Sequence, residues 1–425
     1  MENIYTIDTM PMNSFHKKVV ASAIGGYFTS GYILGIISFA LIWIVPEMQV
    51  SPIWEGLIGG SPLIGVFIGS LFFGSLADKY GRRKIYLYIF LIVAILSLSQ
   101  ILVNNVEVLF IVRVLLGVAI GGDYAVNPSV LSELIPEKLR AKSLSYLLVL
   151  WSLGYVLAAV VGFFMTEYNI GNWKLMLASS TIFGIIVFLM RLDIPESPVW
   201  LQKQKRNEEA KAIITKYFGG NVVMTVNEET QTGGGYSRLF TRDMWKKTIY
   251  ASVAWLAGVI PLYGIMTFLP TVLMTVNVQN EGIGTILVNV FMLLGSIAAA
   301  VIIDWFSRKK LFITTLVVAC VPLFILGINS NLNGVIIVIL FCIFMFFLTI
   351  MGTLTSAVIP AESFSAEIRS QGVGFCTAVS RIGSAFGTFV VPALLGYVGL
   401  GPILIGMGLF LVLSIVMTAA WGPKN

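Results

Sequence analysis

The chain has 425 residues, 57% of them hydrophobic and only 11% charged. Soluble domains carry about a quarter charged residues, so lipid is the solvent for most of this chain. A single histidine, His16, and three cysteines, Cys320, Cys342 and Cys376, set in apolar runs without CxxC spacing, exclude histidine-based metal centres, histidine-dependent nucleophilic catalysis and a redox pair. The net charge of +6 follows from where the basic residues lie and asks for no nucleic-acid partner.

Residues 1–18 are polar and end in Lys17-Lys18, so they read as no cleavable signal peptide and the first apolar segment is expected to remain as a membrane span. About 20 apolar residues cross a bilayer as a helix. Candidates fall at 19–45, 54–76, 85–104, 107–132, 142–166, 173–192, 248–275, 282–303, 311–328, 333–357, 369–395 and 400–421. Of the 27 Lys and Arg, Lys174 alone falls in an outer loop if the N-terminus is inside, and Arg113 and Arg381 fall within spans. All the others lie in or beside cytoplasmic loops. That asymmetry predicts an all-α, multi-pass protein of the cell membrane with twelve transmembrane helices and both termini cytoplasmic.

The one large loop, 193–247, splits the spans into a six-helix bundle over 1–192 and another over 248–425. It begins "IPESPVWLQKQKRNEEAKAIITKYF", which predicts a basic amphipathic helix along the inner membrane surface; "GG" at 219–220 and "TGGG" at 232–235 predict flexible linker. Two loop signatures occur in both halves. "GSLADKYGRRK" (74–84) is echoed by "AAVIIDWFSRKK" (299–310), aligning Asp78 with Asp304. "SELIPEKLRAKS" (132–143) is echoed by "AESFSAEIRSQG" (361–372), aligning Glu133 and Arg140 with Glu362 and Arg369. Matched features at nearly one offset imply duplicated halves with a solute site between them. Asp78 can pair with an arginine of a neighbouring helix or complement a helix N-terminus. Asp78, Arg82, Arg83, Glu133 and Arg140, with Asp304, Arg308, Glu362 and Arg369 as their copies, are therefore the expected gating set; the plainer reading is that the basic residues only anchor orientation.

Charges at membrane depth are functional candidates. Residues 114–131, "VLLGVAIGGDYAVNPSVL", hold one carboxylate, Asp123, ten residues or about 15 Å beyond Arg113, which places Arg113 toward the outside and Asp123 near midplane. Gly117, Gly121 and Gly122 thin this helix, and Asn127 adds an amide one turn on. Arg381 lies well inside the eleventh span. Asp123 and Arg381 either pair or each waits for something mobile: a proton for the carboxylate, an anionic solute group for the guanidinium. Asp123 as a satisfied structural acid, and Arg381 in a packing ion pair, are the bland alternatives.

The G-x-x-x-D-x-x-G-R-R motif at 74–83, its weaker copy, the paired Glu…Arg loops and "PESPVWL" at 195–201 together resemble the major facilitator superfamily, the last motif resembling its sugar-porter-related branch. The resemblance covers essentially the whole chain and implies two helical bundles rocking about a central cavity. "GGDY" (121–124) is similar to the fourth-helix signature of phosphate and organic-acid proton symporters, which implies proton coupling at Asp123. "RIGS" (381–384) resembles the arginine-bearing helix 11 of organic-anion carriers, and "YGIMTFLP" (263–270) the helix 7 of niacin and other organic-ion carriers. The glutamine-rich helix 7 of sugar porters is missing, and the helix-1 acid of proton symporters is replaced in "YFTSGYILGIIS" (27–38) by Thr29 or Ser30 and Ile33. Proton coupling must then run through Asp123 or not at all. Tyr27, Tyr32, Asn127, Trp151, Tyr155, Tyr263, Asn289, Thr353 and Ser380 are the polar and aromatic candidates to line the cavity beside Arg381.

These features predict a secondary transporter of a small organic anion, a carboxylate, by alternating access with proton symport. A sugar transporter and a non-transporting membrane sensor are the alternatives. The sequence carries no P-loop, metal cluster or nucleophile with a base beside it. No enzyme activity, cofactor or metal is expected, and the expected partners are solute, protons and the bilayer, with the chain a monomer.

Overall fold

Capping residues set where the long helices start. Asn13 opens α1 (Ser14–Glu47) through a reciprocal pair: its side chain accepts from His16 N at 3.0 Å while His16 Nδ1 accepts from Asn13 N at 2.9 Å. Ser51 and Pro52 open α2 (Pro52–Tyr80), which ends at Gly81 with φ of 100°, a conformation that suits glycine. Then follow α3 (Arg82–Ser99), α4 (Val106–Leu134) capped by Asn105, α5 (Glu137–Glu167), α6 (Trp173–Ala178) and α7 (Ser180–Arg191). Beyond lie α8 (Pro198–Lys203), α9 (Asn207–Tyr217), α10 (Trp245–Thr267), α11 (Leu269–Thr275), α12 (Glu281–Ile302), α13 (Arg308–Ile328), α14 (Gly334–Thr353), α15 (Ile359–Ser363), α16 (Arg369–Val398) and α17 (Leu400–Trp421). The computed structural model describes residues 6–219, 222, 236–303, 305–329, 332–364 and 368–422, without the side chains at 357–358, 361–362 and 369–370.

Each expected span coincides with a helix or a broken pair. The 173–192 span divides into α6 and α7, 248–275 breaks at Phe268 ahead of Pro270, and 333–357 passes from α14 through a π-helical turn, Leu354–Val358, into α15. Eleven of these stretches are long and apolar enough to cross a bilayer; α4 packs among them and carries Arg113 and Asp123 in its interior. The protein is a multi-pass membrane protein.

Lipid gives helices no hydrophobic reason to associate, so close backbone approach has to supply the attraction. Gly117 and Gly121 of α4 lie directly against the Pro62 and Val66 carbonyls of α2, and Gly65 and Gly69 of α2 return the contact to Val114 and Val118. The same device joins α1 to α5, where Gly31 faces the Trp151 carbonyl and Gly154 that of Phe28. In the second half Gly387 of α16 meets the Ile260 carbonyl of α10.

The two halves, α1–α7 and α10–α17, touch unevenly. We call the end bearing the 77–84 loop the basic end and its opposite the far end. Toward the far end, Gly56 of α2 lies 2.9 Å (as a Cβ would sit) from the Phe389 carbonyl, Gly59 stands against Phe268 and Thr388, and Gly282 of α12 against Phe163 of α5. Deeper in, Ser296 Oγ of α12 donates to Ser152 Oγ of α5 at 2.9 Å. The α2 face that starts at Gly56 and Gly60 continues through Leu71 to Gly74. There Leu71 is 48% exposed and nothing approaches Gly74 within 4 Å. The halves are closed at the far end and parted at the basic end.

The loop after α7 departs from expectation. In place of one helix, α8 and α9 are separated by a turn in which Lys205 takes φ of 59°. Ile214 and Phe218 are buried against the start of α1, with the Phe218 ring 5.2 Å from that of Phe15 and 5.6 Å from His16, and Asn13 Nδ2 donates to Tyr217 O at 3.1 Å. Ser197 caps α8 and Pro198 stiffens its first turn, so the short helix starts and stops before α9 begins. Gly220 and residues 232–235, read as linker, lie outside the described residues.

Candidate functional site

Asp123 is fully buried and has a partner that sequence reasoning missed. Arg191, the last residue of α7, places Nη1 2.7 Å from Asp123 Oδ1. Asn127 Nδ2 donates to Asp123 Oδ2 at 3.1 Å and to Ala23 O at 2.9 Å. The guanidinium is itself enclosed: Nη1 donates to Tyr86 O at 2.8 Å, Nη2 to Ser22 O at 3.5 Å, and Cζ stands 3.5 Å from the Tyr86 ring centroid and 4.4 Å from that of Phe90. Gly26 leaves room for this, since a Cβ there would sit 2.7 Å from Asp123 Oδ2. Asp123 therefore pairs neither with Arg381 nor with an open cavity. α4 starts at Val106 and runs about 25 Å to Asp123, which stands just past the middle of its 29 residues. Arg191 stands where an apolar run gives way to "LDIPESP", and as a helix-end basic residue it was indistinguishable from an orientation anchor.

Arg381 has different company. It is half-buried on α16, and its Cζ lies 5.5 Å from the Tyr124 ring centroid of α4, with the Tyr263 hydroxyl of α10 beside it. Tyr124 packs on Tyr27 of α1 at 4.9 Å, and on α5 Trp151 packs on Tyr155 at 4.7 Å and reaches Tyr263 at 6.4 Å. Five expected residues, Tyr27, Trp151, Tyr155, Tyr263 and Arg381, thus meet in one aromatic cage built by both halves. Tyr124 completes it. Its neighbour Asp123 drew the attention in the sequence, yet one step along a helix turns a side chain by about 100°, so the two serve different sites.

Other candidates lie elsewhere. Tyr32 is held inside the first half by Ser179 Oγ at 2.6 Å and the Phe183 ring at 4.7 Å, and Asn127 belongs to the Asp123 pair. Asn289 Nδ2, Thr353 Oγ1 and Ser380 Oγ donate to their own helices, to Thr285 O, Thr349 O and Thr377 O. Arg113 is buried in α4 nearer the far end, where Nη1 donates to Gln100 Oε1 at 3.4 Å.

The basic-end motifs assemble within the first half. Arg82 forms an ion pair with Glu133, to which Ser197 Oγ also donates. The first turn of α3 is complemented by Glu196, which accepts from Arg82 N at 3.0 Å and Arg83 N at 3.1 Å. Of the two roles expected of Asp78, the structure has it pairing with an arginine of the next helix, as an exposed partner of Arg82 at 3.6 Å, while the N-terminus of α3 is left to Glu196. Trp200 Nε1 donates to Asp78 O at 2.8 Å, Arg83 Nε to Ile194 O at 3.0 Å, and Arg140 pairs with Asp8. The PESP segment therefore staples α8 to α2, α3 and α4. Arg308 donates to Ile303 O within its own loop. Asp304 and the side chains of Glu362 and Arg369 lie outside the described residues.

Membrane helices in two packed halves, a polar cage between them and closure at one end only define a solute transporter of the major facilitator type. A family model described as sugar (and other) transporter matches residues 18–423, and the chain belongs to that family. It is 34% identical to the inner membrane metabolite transport protein YgcS of Escherichia coli strain K12, over 99% of this chain and 94% of that protein. It is 29% identical to the putative metabolite transport protein YaaU of the same organism, over 100% and 96%. Among solved structures the inward-open xylose transporter XylE of E. coli superposes with a TM-score of 0.81 at 20% identity, covering 96% of this chain and 97% of that one. The protein is a membrane transporter of metabolites or sugars and not an enzyme.

Proposed function

We propose that the protein moves a small organic anion, a carboxylate, by alternating access, the anionic group binding Arg381 inside the cage of Tyr27, Tyr124, Trp151, Tyr155 and Tyr263. The observation that carries this reading is the half-buried Arg381 guanidinium, which no acidic side chain neutralises in the described ion pairs and which faces rings from both halves. A planar guanidinium suits a carboxylate, and a group bound between two halves rewards their closing around it. The basic end, toward which the site is open, is the cytoplasmic end by its charge.

The proton step is assigned to Asp123. Loosening of its pair with Arg191 within the first half would free its carboxyl to take a proton in a buried setting. In proteoliposomes, wild-type uptake should rise with an inward acid gradient. Asp123→Asn should abolish accumulation yet keep solute exchange, and gradient-driven accumulation by that variant would remove the assignment. Normal uptake by Arg381→Ala would remove the anion reading. The second reading, a neutral sugar, is favoured by the family's description; competition by pentoses or hexoses and none by carboxylates selects it.

A further inference from the structure

The single histidine of the chain is used by neither site described so far. His16 is 0% exposed and stands where three pieces of the basic end meet: residues 6–13, the start of α1 and the end of α9. Ile7, Met10, Ile214 and Phe218 share one buried cluster there. Asp8 O accepts from Glu137 N at 3.2 Å, and the Asp8 carboxylate pairs with Arg140 of α5. Residues 6–13 and α9 thus form a strap on the basic end of the first half, and His16 sits at its fastening.

That fastening requires a neutral ring. Nδ1 accepts from Asn13 N at 2.9 Å, so the ring proton belongs on Nε2, which is buried without a partner. A second proton would turn Nδ1 into a donor facing an N–H and end the reciprocal cap that starts α1. No acid stands ready to receive the new charge. On the elements around it, Asp8 pairs with Arg140, Glu133 with Arg82, Asp193 with Lys18, and Glu208 and Glu209 with Lys211 and Arg206. Glu137 is exposed at the head of α5. The remaining charged neighbours, Lys17 beside it and Lys216 of α9 over the Tyr217 ring at 5.2 Å, are cations. A protonated His16 is therefore both uncapping and uncompensated.

We infer that His16 is an acid-sensitive latch: when the cytoplasm acidifies, protonation of its ring releases residues 6–13 and α9 from the first half. The fastened strap leaves Nδ1 bare, whereas the released strap takes the proton with the ordinary histidine affinity, near pH 6.5. The strap is then fully held above that value and loses its hold as pH falls below it. The inference uses the cytoplasmic assignment of the basic end and stands for any solute, with or without proton coupling.

The test is hydrogen exchange on the purified full-length protein at pH 7.5 and 5.5, read as protection factors so that the pH dependence of the intrinsic rate drops out. In the wild type, protection across residues 6–13 and α9 should fall about ten-fold or more at pH 5.5, while α12 in the other half keeps its own. His16→Gln supplies the acceptor of a capping box without a titrating ring and should hold the strap at both pH values. His16→Lys, charged at both, should show the released pattern already at pH 7.5. Unchanged wild-type protection at pH 5.5 overturns the inference. So does an equal fall in His16→Gln, which would place the titration elsewhere, and so does a parallel loss in α12, which would be general unfolding. The wild type and His16→Gln decide the matter whether or not His16→Lys folds.

Discussion

Two arginines at membrane depth, Arg191 and Arg381, show two ways of burying the same group. Arg191 is enclosed within one half, with a carboxylate at 2.7 Å, two backbone carbonyls and two aromatic rings around it. Arg381 stands at the seam between halves with rings about it, and none of the ion pairs among the described residues includes it. A pair satisfied inside one rigid half holds that half together; a charge left open on a seam has a reason to bind something that arrives. Arg191 is fully buried at the end of α7 and Arg381 half-buried within α16, and what separates structure from binding is which elements supply the partners.

That contrast can be broken by experiment. The largest effect is expected at the seam: Arg381→Ala should lower solute uptake at least a hundred-fold while the protein still purifies as a folded species with a melting point close to wild type. Next, either Asp123→Asn or Arg191→Met should cost about 3–5 kcal/mol of stability by leaving one buried charge or its partner uncompensated, read as a sharp fall in melting temperature. The double variant Asp123→Asn/Arg191→Met should recover most of that loss. No recovery would mean that the pair is not the unit described here. Trp151→Ala removes one wall of the cage and should weaken binding about ten-fold, by about 1.4 kcal/mol, with KM rising more than the maximal rate falls. Glu133→Gln, at the half-exposed basic end, should cost about 1–2 kcal/mol through its bonds with Arg82 and Ser197. Asp78→Asn should change stability by under about 0.5 kcal/mol, its carboxylate being largely exposed.

The basic-end motifs teach the same lesson on a smaller scale. Glu133 and Arg140 recur seven residues apart in sequence, as their counterparts do in the second half, yet they do not pair with each other: Glu133 turns to Arg82 and Ser197, Arg140 to Asp8. A shared loop motif locates a cluster without saying which of its charges touch.

Sequence alone determined the spans and the presence of Asp123, Arg113 and Arg381 inside long apolar helices, because lipid imposes a length and an apolarity that each helix must meet locally. It also selected five of the cage residues, since rings and polar groups in membrane helices stand out against an apolar background. Tertiary structure decided the pairing. Arg191 and Asp123 are far apart in the chain, Tyr124 differs from Asp123 by one step around a helix, and Tyr124 and Arg381 come from different halves. Such contacts depend on helix rotation and on the close approach of glycine-lined backbones, for example Gly117 on Pro62 and Gly31 on Trp151, which no local pattern of hydrophobicity encodes.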